Sequence, residues 1–193
     1  MRLVTNSSLK YKGLSLNDVL MKGPNTLNNC YGIQLKFRCH LIAVVCDISK
    51  MYHQVKTRLT ERHVRRLAWR NLDTSAEIKY YGIETVNFGD RPAAAIVTVA
   101  VRKTAEIYSN IHPEAAEKIV SDTYMDDVAT GAEDEEAKES LKDGISQILA
   151  KGGFNVKGFS TSDDTSKKAL ALLGSGELGR VLGIRWEPGD DVF

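Results

Sequence analysis

Apolar residues run almost without a break through "HLIAVVCDI" (40–48), and the run ends on a charge, Asp47. An unbroken apolar stretch of this length predicts a central strand covered on both faces, where an alternating pattern would predict a half-exposed one. A second β-prone run, "TYMDDVAT" (123–130), carries two adjacent aspartates, and "DTYMDDVAT" (122–130) predicts a hairpin with Met125 and Asp126 near its tip. "RLVTNSS" (2–8) reads as a short strand followed by polar loop, and further strand patterns fall at "LAWR" (67–70), "KYYGIETVNF" (79–88), "FNVKGFS" (154–160) and "GRVLGIRWE" (179–187). "GLSLNDVLMKGPN" (13–25) reads as irregular around Gly23 and Pro24.

Helices are predicted at "NTLNNCYGIQLKFR" (25–38) and, as a short one capped by Thr60, at "TERHVRR" (60–66). Two more open on prolines, one from Pro92 to about Ser109 and one over "PEAAEKIVS" (113–121). A long helix is expected from about Ala132 to Lys151. Its first turn is loaded with Glu133, Asp134, Glu135 and Glu136, which suits the positive end of the helix dipole, and Gly152-Gly153 ends it. The intermixed order β-α-β-β-α-β predicts an α+β fold, an antiparallel sheet with helices packed on one face. With 193 residues, 42% of them hydrophobic, and no linker or repeat, one domain over 1–193 is expected.

Composition narrows the class. No apolar stretch approaches membrane-spanning length and "MRLVTNSSLKYKG" has no signal-peptide core, so an intracellular protein, cytoplasmic or nuclear, with no membrane partner is expected. Cys30, Cys39 and Cys46 are odd in number and form no CxxC pair, and His40 beside Cys39 has the wrong ligand spacing for zinc. The net charge of +1 conceals an asymmetry: residues 1–70 hold 13 Lys/Arg against 3 Asp/Glu, and 71–193 hold 13 against 22. The basic cluster "KTRLTERHVRRLAWR" (56–70) has the charge of a surface facing a polyanion, and equally that of a solvated amphipathic helix.

Neighbouring residues in a strand point to opposite faces, so Asp126 and Asp127 need separate explanations. A solvated turn is one. The other is that the strand ending in Asp47 neighbours this hairpin, so that three carboxylates meet. Buried together they would tend to protonate, and divalent cations remove that cost. Carboxylates holding two ions roughly 3.5–4 Å apart serve in-line phosphoryl transfer.

"VVCDISKMYHQV" (44–55) followed by "YMDD" (124–127) resembles motifs A and C of reverse transcriptases. Four further stretches match in order: "RLVTNS" the basic fingers strand, "NFGDRPAAA" (87–95) motif B, "ILAKGGFNVKGFS" (148–160) motif D, and "GRVLGIRWEPGDDVF" (179–193) the primer-grip hairpin. The Leu-Gly-x-x-Trp signature of the last is typical of Bel/Pao-type LTR retrotransposons. The resemblance covers nearly the whole chain and implies a polymerase palm with partial fingers. The implied activity is RNA-directed DNA polymerase, adding dNTPs to a primer 3′-hydroxyl with two Mg²⁺ ions, or Mn²⁺ in their place. The implied partners are an RNA or DNA template with primer, and other domains of a retrotransposon polyprotein.

Residue by residue, the resemblance makes Asp47 and Asp126 the bridging metal ligands, Asp127 an assisting one and the Ile48 carbonyl a backbone ligand. Met51 and Tyr52 would offer N–H groups to the triphosphate, and the Tyr52 ring would exclude a 2′-hydroxyl. Arg2 aligns with the triphosphate-contacting arginine of the fingers, Phe88 and Gly89 with the pocket beside the templating pair, and Lys157 with the lysine that protonates pyrophosphate. Leu182, Gly183 and Trp186 belong to the primer grip. Structural readings stand beside these roles: Tyr52 as a core aromatic, Lys157 as a solvated strand residue, Arg2 as part of a loose terminus.

Departures from the family pattern are Asn6, where an aspartate is usual, and "GDRPAAA", which adds Asp90 and Arg91 near the template pocket. The thumb, connection and ribonuclease H domain have no counterpart in these residues, so weak substrate binding and little processive synthesis are expected of them alone. The alternative reading is an inactive retrotransposon-derived module that binds nucleic acid or protein. Two other motifs carry little weight. "GSGELG" (174–179) lacks the following helix of a dinucleotide site, and "DDVATGAEDEEA" (126–137) has Val128 and Ala137 where a calcium loop needs oxygen ligands.

Overall fold

A computed structural model describes residues 5–163 and 179–186, and the chain forms two compact units, each assembled from separate stretches. One unit comprises Met1–Asn25 and Tyr52–Val97, the other Thr26–Met51 and Thr98–Phe193. Arg2 and most of "GSGELG" lie outside the described residues.

The second unit is built on β1 (Ile42–Ser49), the predicted central strand. It lies between β5 (Asp127–Ala132) and β6 (Asn155–Thr161), with β4 (Thr123–Tyr124) outside β5, in the order β4-β5-β1-β6. Every pairing in this sheet is antiparallel. The architecture is therefore α+β with an antiparallel sheet, as the pattern predicts.

Burial explains the unbroken apolar run. Ala43, Val44, Val45 and Cys46 are all buried, so both faces of β1 are covered. On one face Ala43, Val45 and Ala129 pack with Ile33 and Phe37 of helix α2 (Cys30–Phe37) and with Val181 and Trp186. The last two come from the hairpin of β7 (Gly179–Val181) and β8 (Ile184–Trp186), and Phe37 meets Trp186 edge-on at 5.2 Å. The other face carries α5 (Pro113–Asp122) and α6 (Glu135–Lys151): Thr130 of β5 donates to Asp122 of α5 at 2.9 Å. Helices thus cover both faces, not one as the topology predicts, because a strand apolar at every position needs a cover on each side.

Several boundaries move for local reasons. The long helix starts at Glu135, because the Asp134 side chain accepts the Ala137 amide as N-cap and Ala132 is the last residue of β5. In the first unit the segment at "TERHVRR" is a 3-10 helix over Leu59–Val64 whose N-cap is Arg58, so Thr60 caps nothing. Residues 5–8 form turn and irregular backbone, the polar loop expected there, with the Ser8 amide bonded to the Asn6 side chain; the short strand expected before it lies outside the described residues. A four-residue helix, α1 (Leu16–Val19), occupies the stretch expected to be irregular, held by the Ser15 amide on Asp18. The strand expected at 79–88 shortens to β3 (Lys79–Gly82), paired with β2 (Arg66–Trp69). The remaining helices are α3 (Met51–Gln54) and α4 (Ala93–Ile107).

Where α5 and α6 pack, Ala115 and Gly144 meet so closely that a Cβ on Gly144 would lie 2.7 Å from the Ala115 Cβ. Gly144→Val should therefore cost about 2–3 kcal/mol, the usual penalty for overpacking a tight contact. Urea denaturation read by circular dichroism measures it, and a variant as stable as the parent would refute the close packing.

Candidate active site: a carboxylate cluster at the exit of the central strand

Asp47 stands where β1 leaves the core, one residue beyond buried Cys46. The antiparallel register pairs it directly with Asp127 at the start of β5. Cross-strand partners share a face, so the two carboxylates stand side by side on the face that Val45 and Ala129 line with Val181 and Trp186. Like charges in that relation repel. Asp126 sits in the two-residue turn between β4 and β5, as the sequence predicts, beside Met125, whose φ of 54° is left-handed. A positive φ at the first loop residue lets a two-residue hairpin follow the twist of its strands, at a cost of about 1–2 kcal/mol for a residue other than glycine. The Ile48 amide donates to the Asp126 carbonyl at 2.8 Å and ties the turn to the end of β1.

The ladder between β1 and β6 slips between Cys46 and Ile48, where two β6 residues, Lys157 and Gly158, oppose Asp47 alone. Lys157 is exposed there, and its charge favours the Asp47 carboxylate. It is outweighed. Burial, then repulsion by Asp126, raises the Asp47 pKa above the ordinary carboxylate value. Burial, then Asp126 and Asp47, pushes Asp127 up to about 7. The Cys46 thiol is raised too, by its own burial and by Asp127 and Asp47. Three carboxylates therefore feel one another with one lysine to offset them, the frustration that a divalent cation relieves. Their oxygens are the hard donors that Mg²⁺ or Mn²⁺ prefers, and in this chemistry the set fits such ions. Among the described residues no three His, Cys, Asp or Glu side chains converge into a ready-made cage, so the fit is one of donor type and charge.

The other predicted residues divide between the two units. Ile48 and Met51 are buried in the second, and Leu182, half-buried, packs with Tyr124 against the Trp186 cluster, with Gly183 in the β7–β8 turn at φ 86°. In the first unit the Tyr52 ring packs on Phe88, centroids 4.4 Å apart, with His53 edge-on to Phe88 at 5.3 Å. The Phe88–Gly89 backbone is clamped: Thr5 donates to the Phe88 carbonyl at 3.2 Å and Asn17 to the Gly89 carbonyl at 2.8 Å. Gly89 holds φ 85°, which favours glycine.

Asp90 and Arg91 have structural work instead of facing a template. Asp90 is buried, accepting from Ser7 at 2.6 Å and from Arg65 at 2.5 Å, and Arg91 donates to the Asn17 carbonyl at 3.3 Å. His40 is bonded to Glu133 at 2.8 Å and to Lys118 at 3.2 Å, and Cys39 to the Leu35 carbonyl at 3.2 Å, so the pair makes no shared site. Asp122, one residue before the hairpin and 1% exposed, is the acid that pattern reading passes over; it receives Thr130 and Ser121 and lies 3.4 Å from the Lys36 ammonium. Its only sequence signal is an acid at the end of an amphipathic helix.

No protein-family model matches the chain, and no curated protein matches it either. No helix among the described residues is long and apolar enough to cross a membrane.

The raised Asp127 has a consequence for stability. Between about pH 4 and pH 7 the folded chain holds a proton that the unfolded chain releases, so this group lowers stability as pH rises through that window. Asp127→Asn should be more stable than the parent by on the order of 2 kcal/mol at pH 8, with the gap closing toward pH 4. Thermal melts across that range measure it, and a gap independent of pH would refute the repulsion.

Proposed function

We propose that this chain carries the palm of an RNA-directed DNA polymerase, in which Asp47, Asp126 and Asp127 form the nucleotidyl-transfer site. The observation that supports this most is the pairing of Asp47 with Asp127 across β1 and β5, with Asp126 in the adjoining turn and the pKa values of Asp47 and Asp127 raised. A structural site has no reason to gather three repelling carboxylates at a strand end, whereas a cation-dependent phosphoryl-transfer site does. The match of the surrounding segments to reverse-transcriptase motifs, in order along the chain, supplies the substrate class.

When bound, a pair of divalent cations supplies Lewis acidity at the primer 3′-hydroxyl and charge neutralisation at the leaving pyrophosphate. The chain's own groups bind and orient. Asp47 and Asp126 would hold the ions, and Asp127 and the Ile48 carbonyl would add further oxygen donors. Lys157 stands ready to give a proton to the departing pyrophosphate. The amides of Met51 and Tyr52 receive the triphosphate, the Tyr52 ring backed by Phe88 excludes a 2′-hydroxyl, and the Leu182–Trp186 hairpin supports the primer end. Arg2 belongs to the same triphosphate contacts by resemblance. Positioning and charge stabilisation carry most of the rate.

Primer extension on poly(rA)/oligo(dT) with dTTP and Mg²⁺ or Mn²⁺ tests the proposal. The parent chain should extend the primer, and Asp126→Asn should lower the rate by at least about a hundredfold, the scale of losing a charge-stabilising group. Mn²⁺ should also raise the melting temperature of the parent and leave Asp126→Asn unchanged. A folded parent chain that neither extends a primer nor responds to Mn²⁺ would overturn the assignment, leaving the binding-module reading.

A further inference from the structure

The basic cluster at 56–70 has no part in the carboxylate site, and the first unit shows what it is built into. Residues 56–82 hold 7 Lys/Arg against 3 Asp/Glu. They fold as the 3-10 helix and the β2–β3 ribbon, a two-stranded sheet in which all four residues of β3 are exposed. The register sets the faces. Arg66 pairs with Gly82 and Ala68 with Tyr80, so these four share one side. Tyr80 is 73% exposed, and its neighbours on that side, Ala68 and Gly82, are too small to cover the ring. Gly82 lies against Arg62, where an added Cβ would be 3.6 Å from the Arg62 Cβ. The shelf therefore carries an uncovered aromatic ring with exposed Arg66 beside it, while Arg62 at its edge is half-buried and held by Glu84 at 2.7 Å.

We propose that this face of the β2–β3 ribbon binds single-stranded nucleic acid, with a base stacked on Tyr80 and the adjoining phosphate met by Arg66. A bare aromatic ring among small residues is a stacking platform that any base can use, and an excess of cations around it tracks a phosphate backbone. A duplex keeps its base faces inside the stack and offers none to Tyr80. Charge complementarity also selects this occupant over a symmetric contact with a second copy of the chain, which would bring the same cations against themselves. Nucleic acid is the partner class of the function proposed above, but no residue of the carboxylate site is used, so either reading can fail alone.

The test is fluorescence anisotropy of labelled oligo(dT) and oligo(U), about 20 nucleotides long, against the full chain, with a duplex as competitor. Single strands should bind in a salt-dependent way and resist displacement by duplex. Tyr80→Ala should weaken binding about tenfold while Tyr80→Phe keeps it, and Arg66→Gln should reduce the salt slope by about one. Binding should persist in EDTA, which separates this surface from the cation-dependent site of the catalytic proposal. Circular dichroism checks that each exposed-residue variant folds. The proposal is overturned if the parent does not bind, if Tyr80→Ala binds equally well, or if duplex competes as effectively as single strand. Self-association that Tyr80→Ala abolishes, without oligonucleotide binding, would overturn it in favour of a contact between copies.

Discussion

The second unit is organised around the β1–β5 ladder, which the 2.8 Å hydrogen bond from the Ile48 amide to the Asp126 carbonyl closes at its carboxylate end. That bond fastens the β4–β5 turn to the end of β1, and with it the register of the whole ladder from Asp47–Asp127 to Ile42–Ala132. A slip of one residue would turn Asp127 and Ala129 to the face that α5 and α6 cover and bring Val128 to the Trp186 side in their place. The same register keeps Val45 and Ala129 against Phe37 and Trp186, so core and carboxylates are specified together.

That coupling places stability and chemistry in opposition. The cluster sits at the end of a strand buried on both faces, where charge is costly, and Lys157 answers only part of it. The first unit resolves a similar problem differently: buried Asp90 is matched by Arg65 and Ser7 and holds no surplus charge. A carboxylate with its own arginine is finished, whereas three sharing a lysine still need something from outside.

Much of this was legible in the chain. The unbroken run at 40–48 implied a doubly covered strand, and two aspartates inside a β-prone run implied a hairpin that brings them toward Asp47. What escaped was non-local. Helix α2 lies before β1 in the chain, and periodicity does not say which face it covers. Asp90 finds Arg65 across 25 positions, a pairing no pattern encodes, so it read as a pocket residue instead of a buried ion-pair partner. Of the three boundaries between the two units, Asn25/Thr26 follows the Gly23-Pro24 stretch, but Met51/Tyr52 and Val97/Thr98 fall within α3 and α4, with no linker composition to mark them. Helix starts moved because the cap, not the first acidic residue, decides where the backbone turns helical.

Cys46 adjoins Asp47 on a buried strand, its thiol held protonated by burial and by the acids beside it, while Cys39 is exposed on the surface. Thiolate, not thiol, reacts with alkylating reagents, so Cys46 is closed to them while β1 remains paired on both sides. Its modification requires the sheet to open, and the slow phase of alkylation after exposed Cys39 and half-buried Cys30 have reacted is a clock for that opening. The chain thus carries, one residue from its carboxylate cluster, a native reporter of how long that edge of the sheet stays shut.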